Sequence, residues 1–311
     1  MAVKSSNIIY NAIKIGSLPS ESITEYIYTA SRDNTVKKLT TDNTVEWTNS
    51  DHSDWLYSIA EWNGFVFSGA RDNTMKKIDS NGNTVWTYSG ISDQVAAMAV
   101  DSDGTIYAGG GPVDPVIHIV DQSGNFVSQF QTFSSGVTSI DIDKQGNVFV
   151  TSGNNSFKFN SSGVQQWTNT EHTANCYQST IGLDGYFYTC SFDATVKKID
   201  PSNGNTIWTS TAPSSTLYNV EAARNGFIYT VESNGNVLKL DSSNGNLVDT
   251  FTGHATSTWG LAIDQFNNVY SGDDSGVLKK LDENLNEIWS ITPHTDRVRA
   301  IALTQSKYLY W

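Results

Sequence analysis

The chain has 311 residues, with 32 Asp or Glu against 19 Lys or Arg, so its formal net charge is −13. Nucleic-acid binding depends on clustered basic residues that displace counterions from phosphates, and the acidic balance argues against that role and against anionic membrane surfaces. Two cysteines, Cys176 and Cys190, are too few for a disulfide framework or a four-cysteine zinc site. We expect both thiols to be free and to lie on neighbouring strands.

Short aromatic triplets of β type recur along the whole chain, about 40 residues apart, with no helical pattern between them. The last residues of these triplets are Tyr28, Phe67, Tyr107, Phe149, Tyr188, Tyr229, Tyr270 and Tyr310. A period of about 40 residues that carries short strands is typical of a β-propeller with four strands per blade. The sequence therefore predicts an all-β fold.

Residues 55–90 illustrate one repeat. The segment WLYSIAEW predicts an inner strand A, and Asn63-Gly64 gives the signal of a tight hairpin turn. The segments FVFSGA, TMKKID and TVWTYS then predict strands B, C and D, separated by turn residues. Each blade is thus expected to be a four-stranded antiparallel meander.

From Tyr26 onward the strand order B, C, D, A repeats seven times, which predicts seven blades. Residues 1–25 are interpreted as an N-terminal extension and residues 26–311 as a single propeller domain. The last strand A, near residues 297–302, is expected to pair with residues 26–30 and so close the ring. Residues 307–311 resemble one further strand B, which leaves an eight-bladed ring as the alternative.

Two families of repeats are similar to these segments. SRDNTVKKL (31–39), ARDNTMKKID (70–79) and SFDATVKKID (191–200) resemble the end of a Trp-Asp (WD) repeat, and Gly253-His254 resembles its opening. DSNGNTVW (79–86), DPSNGNTIW (200–208) and DENLNEIW (282–289) resemble the end of a quinoprotein-type (PQQ-like) repeat. Both resemblances imply a propeller, and both families contain mostly binding scaffolds alongside some enzymes.

The PQQ-like resemblance leaves a quinone-dependent oxidoreductase as an alternative function. Those dehydrogenases, as a family, use larger eight-bladed propellers with a vicinal disulfide and a calcium-bound quinone, whereas Cys176 and Cys190 are not adjacent. No nucleophile motif, phosphate-binding glycine loop or complete EF-hand loop is present. We therefore predict no catalytic residues, no metal ligands and no cofactor.

Four histidines precede strand A and are each matched with an aspartate in a B to C turn. The pairs are His52 with Asp72, His172 with Asp193, His254 with Asp274 and, across the ring closure, His294 with Asp33. In WD repeats, which these positions resemble, such a pair braces the top of the blade. A structural role is therefore predicted for all four histidines, and His118 is expected to be a strand residue without such a partner.

The tryptophans fall into two groups. Five of them recur in strand D and are predicted to pack between blades, namely Trp47, Trp86, Trp167, Trp208 and Trp289. By contrast, Trp55 and Trp259 lie in or beside the loops that lead into strand A. At that position an aromatic side chain is expected to face a ligand.

The D to A and B to C loops of a propeller share one rim of the central channel, and this rim is the predicted binding surface. One B to C connection, Gly109 to Pro115, is longer than the others, and an inserted loop on a regular scaffold indicates function. The candidate binding residues are Arg32, Trp55, Arg71, Asp114, Phe192, Trp259, Asp273, Arg297 and Arg299.

The function predicted first is a non-enzymatic scaffold that docks a protein partner on this rim. The alternative is a recognition module for glycans or host surfaces, on a phage particle or a cell surface. A PQQ-type oxidoreductase or a hydrolase is the third interpretation. Because the N-terminal residues show no signal-peptide pattern and no stretch of 18 apolar residues occurs, we expect no membrane insertion and a cytoplasmic or virion-associated protein.

Overall fold

Alternating apolar residues and tight turns produce a fold made entirely of short antiparallel strands. The computed structural model describes residues 25–304, which form seven four-stranded sheets and no helix, as predicted from the repeats. The strands are β1 (Tyr26–Ser31), β2 (Val36–Thr40), β3 (Val45–Asn49), β4 (Leu56–Trp62), β5 (Phe65–Ala70), β6 (Met75–Ile78), β7 (Thr84–Tyr88), β8 (Val95–Val100), β9 (Ile106–Gly110), β10 (Val116–Val120), β11 (Phe126–Thr132), β12 (Val137–Ile142), β13 (Val148–Ser152), β14 (Asn155–Phe159), β15 (Gln165–Asn169), β16 (Cys176–Ile181), β17 (Phe187–Ser191), β18 (Val196–Ile199), β19 (Thr206–Ser210), β20 (Leu217–Ala222), β21 (Phe227–Glu232), β22 (Val237–Asp241), β23 (Leu247–Phe251), β24 (Thr258–Ile263), β25 (Val269–Asp273), β26 (Leu278–Leu281), β27 (Glu287–Ile291) and β28 (Val298–Leu303).

The seven sheets are the blades of a closed ring. Blade 1 has the order β28-β1-β2-β3, and blades 2 to 7 each consist of four consecutive strands, starting at β4, β8, β12, β16, β20 and β24. We name the strands of each blade A to D in this order. Each strand A contacts the strand A of both neighbouring blades, from β28 and β4 round to β24 and β28. The inner strands therefore surround a central channel.

The first and last described strands close the ring, as predicted. Strand β28 is antiparallel to β1, with Thr29 opposite Ile301, and the Thr304 backbone N–H donates to the Tyr26 carbonyl at 3.0 Å. The predicted extension up to residue 24 and the possible extra strand at 307–311 lie outside the described residues. Within residues 25–304 the ring has seven blades.

The hydrophobic core lies between the blades, because each twisted sheet packs its apolar face against the next one. Between blades 2 and 3, for example, Phe67 and Met75 contact Val95, Ile106 and Val120, all fully buried. At each such interface a large aromatic or aliphatic side chain of strand B or C fills the space. The repeat period therefore also sets the spacing of the core.

The strand D tryptophans tie neighbouring blades together, as predicted. Each indole N–H donates to a backbone carbonyl in a C to D turn of the next blade, so burial of the ring leaves no polar atom unpaired. The donor and acceptor pairs are Trp47 with Ser80, Trp86 with Gln122, Trp167 with Pro201, Trp208 with Ser242, and Trp289 with Thr41, at 3.0 to 3.1 Å.

Two further predictions are confirmed in the described residues. The Asn63-Gly64 hairpin has positive φ angles of 52° and 82°, as a turn of this type requires. Cys176 on β16 and Cys190 on β17 are buried free thiols on neighbouring strands of blade 5. Since residues 25–304 contain no helix, none of their elements is a long apolar helix that could cross a membrane.

Candidate functional site

Every strand A carries a β-bulge near its first residue. In blade 2, Leu56 lies opposite Ala70 and Ser58 opposite Gly69, so Tyr57 is an extra residue without a partner on strand B. A bulge of this kind redirects a side chain out of the regular alternation. The same shift recurs in all seven blades.

The seven bulged residues form a ring around one mouth of the channel, at the end where the D to A and B to C loops lie. They are Arg299, Tyr57, Ala96, Thr138, Tyr177, Tyr218 and Trp259, in order from blade 1 to blade 7. Their sizes are unequal around the ring. Blades 5, 6, 7, 1 and 2 present large aromatic or basic side chains, whereas blades 3 and 4 present Ala96 and Thr138. The mouth is therefore lined by large side chains on one side and by small side chains on the other.

On the side with large side chains, four aromatic rings from blades 5, 6 and 7 pack against one another. Phe192, in the B to C turn of blade 5, stacks on Tyr177 with the ring centroids 5.0 Å apart. Tyr218 stacks on Trp259 with centroids 3.4 Å apart and planes within 12° of each other, and Tyr177 meets both edge-on at 5.8 Å. All four rings are half-buried, so one part of each remains open to solvent.

Next to these rings, arginine side chains lie against the tryptophans on the same side of the mouth. The guanidinium carbon of Arg297 lies 3.7 Å from the Trp259 ring centroid, and its Nε donates to Asp274. In the neighbouring blades, Arg32 stands 3.5 Å and Arg71 4.9 Å from the Trp55 ring centroid. We call this surface the aromatic–arginine crescent, and its members are Tyr177, Phe192, Tyr218, Trp259, Arg297, Arg299, Arg32, Trp55, Tyr57 and Arg71.

Arg299 reaches across the channel mouth from blade 1. Its guanidinium carbon lies 4.6 Å from the ring centroid of Trp259, 4.8 Å from Tyr177 and 5.2 Å from Tyr57, which belong to blades 7, 5 and 2. Burial lowers the pKa of the Arg299 guanidinium to about 10, and the positive charge of Arg32 acts in the same direction. The guanidinium nevertheless stays charged at neutral pH.

A small cavity of about 90 Å³ lies in the channel at the level of the bulged residues. It is lined by residues of the inner strands, including Ala96, Thr138, Gln178, Glu221 and Arg299. This volume can hold a few water molecules or one small functional group of a ligand.

Two carboxyl groups lie in the channel on the inner strands of blades 4 and 6, one on each side of the inner strand of blade 5. Asp141 accepts a hydrogen bond from Ser179, and Glu221 accepts one from Thr180 at 3.3 Å. Both residues are half-buried, because they line the channel. Desolvation raises the pKa of Asp141 to about 7, and desolvation together with repulsion from Asp141 raises that of Glu221 to about 8.

The predicted histidine–aspartate pairs brace the blade tops. His52 Nδ1 lies 2.9 Å from Asp72 Oδ2, His172 Nδ1 lies 3.0 Å from Asp193 Oδ2, and His294 Nδ1 lies 2.9 Å from Asp33 Oδ2. In each pair the other ring nitrogen contacts a buried Ser or Thr hydroxyl at 2.8 to 2.9 Å. The pairing across the closure, between His294 and Asp33, is thus confirmed.

The prediction for His254 was wrong by one residue. Its Nδ1 lies 3.1 Å from Asp273 Oδ2, and Asp274 instead pairs with Arg297. Within the repeat, Ser275 occupies the place that Asp72 holds in blade 2, so the carboxylate comes from the end of strand B. Asp273 is only 1% exposed, and this burial removes a predicted binding residue from the rim surface.

The prediction that His118 has no partner was also wrong. Its Nδ1 lies 3.2 Å from the Tyr88 hydroxyl, and its Nε2 lies 3.3 Å from Asp114 Oδ2, without the geometry of a hydrogen bond. Asp114 also accepts the backbone N–H of Ser92 at 2.8 Å. In blade 3 the imidazole therefore comes from strand C, and Asp114 braces the inserted loop from Gly109 to Pro115.

Seven of the predicted rim residues come together in the crescent. They are Arg32, Trp55, Arg71, Phe192, Trp259, Arg297 and Arg299, whereas Asp114 and Asp273 support the loops. Sequence reasoning missed Tyr57, Tyr177 and Tyr218. Their signal was present, because each occupies the same place in its repeat as Trp259, but their direction depends on the bulges.

Replacing His172 by Ala should lower the free energy of unfolding by about 1 to 3 kcal/mol, because Asp193 loses its buried partner. Burial alone would raise the pKa of Asp193, but hydrogen bonds from His172 and Thr195 outweigh it and lower that pKa. Urea denaturation of H172A, D193N and the double variant would measure the coupling between the two side chains. Additive losses would contradict the bracing role.

The fold and the crescent define a seven-bladed β-propeller with a specialised channel mouth. Comparison with known families assigns the chain to one family of β-propeller proteins. A family model named PQQ_2, described as outer membrane protein assembly factor BamB, matches residues 14–210. This match covers more than half of the chain, and the chain belongs to that family.

Solved structures support the same fold. The WD40 β-propeller domain of Doa1 is similar with a TM-score of 0.71 and 19% identity, over 80% of this chain and 86% of that one. The computationally designed protein Ika8 also gives a TM-score of 0.71, at 17% identity, over 88% of this chain and 86% of that one. A comparison with curated protein sequences gives no significant match.

Proposed function

We propose that the protein is a non-enzymatic binding module that docks a protein partner on the aromatic–arginine crescent. The observation that carries this proposal is the continuous run of half-exposed Trp, Tyr, Phe and Arg side chains across five neighbouring blades. Trp, Tyr and Arg dominate the binding energy of protein interfaces, since they combine a large contact area with directional polar groups. A rigid propeller holds them in place before binding, which lowers the entropic cost of association.

The distribution of positive charge supports the same surface. The sequence has five arginines, and four of them belong to the crescent although the protein as a whole is acidic. The fifth, Arg224, lies in an A to B turn on the opposite face. A local patch of positive charge on an acidic protein orients a charged partner during encounter and disfavours wrong orientations.

The family to which the chain belongs supports a binding role. Its model carries the description of an assembly factor for outer membrane proteins. The propeller by itself leaves the partner open, because the same scaffold carries unrelated functions.

The glycan alternative is disfavoured by the geometry of Trp259. Sugars stack on a free aromatic face, but Tyr218 is parallel to the Trp259 ring at 3.4 Å and Arg297 lies 3.7 Å from its centroid. Two groups at these distances cannot share one face, so both faces of the ring are covered. Specific signals on a glycan array that disappear in both W55A and W259A would favour the glycan alternative.

The absence of catalysis and of a cofactor remains a prediction. The cavity at the channel mouth, at about 90 Å³, is much smaller than the few hundred Å³ typical of sites that enclose a small molecule, whereas a larger open pocket of about 870 Å³ lies elsewhere, beside Lys144 and Lys158. We accordingly assign Arg299 and its neighbours to contact with a partner rather than to chemistry.

The proposal is tested by a matched pair of phenylalanine variants. Phe192 lies in the crescent, whereas Phe266, which is 68% exposed, lies in an A to B turn on the opposite face. A partner captured from an extract of the source cells is identified, purified and titrated against each variant. We expect F192A to bind it about tenfold or more weakly and F266A to bind it like the wild type. Equal affinities of the two variants would refute the crescent as the docking surface.

A further inference from the structure

The guanidinium of Arg299 has no acidic partner among residues 25–304. Its neighbours are the rings of Tyr57, Tyr177 and Trp259, and the positive charge of Arg32 also acts on it. Arg297, by comparison, is neutralised by Asp274. A guanidinium has five N–H donors in a planar fork, and aromatic rings can satisfy its faces but not these donors.

A second unpaired donor lies beside it. The indole Nε1 of Trp259 is buried and has no hydrogen-bond partner in the described part of the chain. A buried N–H without a partner is costly and points to a group that is missing from the site. The nearest charged group to the Trp259 ring that is still unpaired is Arg299.

We propose that the mouth of the channel receives one carboxylate, the side chain of an Asp or Glu on the docked partner, with Arg299 as its ion-pair partner. This inference rests on the proposed function. The fork of the guanidinium matches the two oxygens of a carboxylate, and ion pairs of this kind gain strength where surrounding rings exclude water. The buried indole N–H of Trp259, which has no partner among the described residues, lies in the ring that Arg299 contacts.

The shape of the mouth admits a single side chain. Because the bulged residues of blades 3 and 4, Ala96 and Thr138, are small, a partner chain that lies across the rim can extend a side chain toward Arg299 from that direction. The cavity there, about 90 Å³, accommodates one small group and not a sugar ring or a nucleotide.

Other sources of negative charge fit less well. A polyanion would be repelled by the net charge of −13, whereas one carboxylate interacts mainly with charges within a Debye length of about 8 Å. Terminal carboxylates are generally held by backbone N–H groups arranged in a nest. The bulged residues present side chains instead, which favours an acidic side chain.

Two pairs of small probes test the assignment without a partner in hand. N-acetyl-glutamate amide is compared with N-acetyl-glutamine amide, which has the same shape without the charge, and N-acetyl-glycine is compared with its amide. Inorganic phosphate serves as the third anion. Dissociation constants come from ligand-observed NMR titrations of the full chain at constant ionic strength. We expect the glutamate probe to bind about tenfold or more tightly than the glutamine probe and more tightly than N-acetyl-glycine or phosphate.

Variants assign the preference to Arg299. In R299Q the difference between the glutamate and glutamine probes should vanish, while R224Q, the matched change on the opposite face, should keep it. R299K retains a charge without the fork and should keep a smaller preference, which covers the case in which R299Q does not fold. Equal binding of the two probes by the wild type, a stronger response to N-acetyl-glycine or phosphate, or an unchanged preference in both Arg299 variants would each overturn the assignment.

The outcome is separable from that of the docking surface. If F192A loses the protein partner while the wild type does not discriminate between the glutamate and glutamine probes, the crescent docks the partner without a carboxylate at Arg299. If the probes are discriminated but F192A and F266A bind the partner alike, the carboxylate site stands and the docking surface lies elsewhere.

Discussion

Deletion of residues 295–311 should abolish cooperative unfolding. It removes β28, the inner strand of blade 1, and with it the buried side chains of Val298 and Ile301. Each such side chain contributes about 1.5 to 3 kcal/mol, and the loss also opens β1 and the inner strand of blade 7 to water. The sum approaches the whole stability of a typical domain, about 5 to 15 kcal/mol.

The matched control removes only residues 305–311 and keeps β28. Circular dichroism during heating should show one sharp transition for the full chain and for this control, and a broad or absent transition for the longer deletion. A longer deletion that melts as sharply and at the same temperature as the full chain would contradict closure by β28.

Replacing the two channel carboxyls by amides should stabilise the protein at high pH. The folded state raises the pKa of Asp141 to about 7 and that of Glu221 to about 8, mainly by desolvation, above the values of about 4 expected in the unfolded chain. A raised carboxyl pKa contributes stability that is fully present below pH 4 and is lost as the pH rises through 7 to 8. D141N/E221Q avoids that loss because its side chains stay neutral.

Urea denaturation at pH 5 and pH 9 measures the effect. At pH 9 the free energy of unfolding of the double variant should exceed that of the wild type by about 2 to 5 kcal/mol. This range is well below the free energy that the full pKa shifts would give, because the channel lets water reach both groups. At pH 5, only about one pH unit above the unfolded-state pKa values, the difference should be much smaller. The exposed Glu171 provides the control, since E171Q should show no such pH dependence. The same difference at both pH values would show that the channel does not raise these pKa values.

The repeat period was sufficient to predict the fold. Because every blade repeats the same strand order, the seven blades, the closure by the last strand and the pairing of His294 with Asp33 follow from counting. The packing role of the strand D tryptophans follows as well, since a fixed place in each repeat means a fixed place between blades. These features depend on the pattern shared by all repeats.

The candidate site depends on the departures from that pattern, and sequence reasoning recovered it only in part. Trp259 and Arg299 were assigned to the rim, but the bulges that bring Tyr57, Tyr177 and Tyr218 beside them concern strand register, which residue spacing does not reveal. The partner of His254 was misassigned for a related reason. A constant spacing of about 20 residues selected Asp274, whereas the side chain at the end of β25 was one residue closer.

Contact between Arg299 and three other blades could not have been inferred from spacing. Tyr57 and Tyr177 both precede Arg299 in the sequence by more than 100 residues, and they meet it only because the ring closes around the channel. Such contacts depend on the diameter of the ring.

The most direct test of the crescent is site-specific photo-cross-linking. A benzophenone-bearing phenylalanine analogue is placed at position 192 in one sample and at position 266 in another, and each sample is irradiated in the presence of the partner. Docking on the crescent predicts a covalent product with the partner from position 192 and none from position 266. A product formed only from position 266, or equally from both positions, would contradict it.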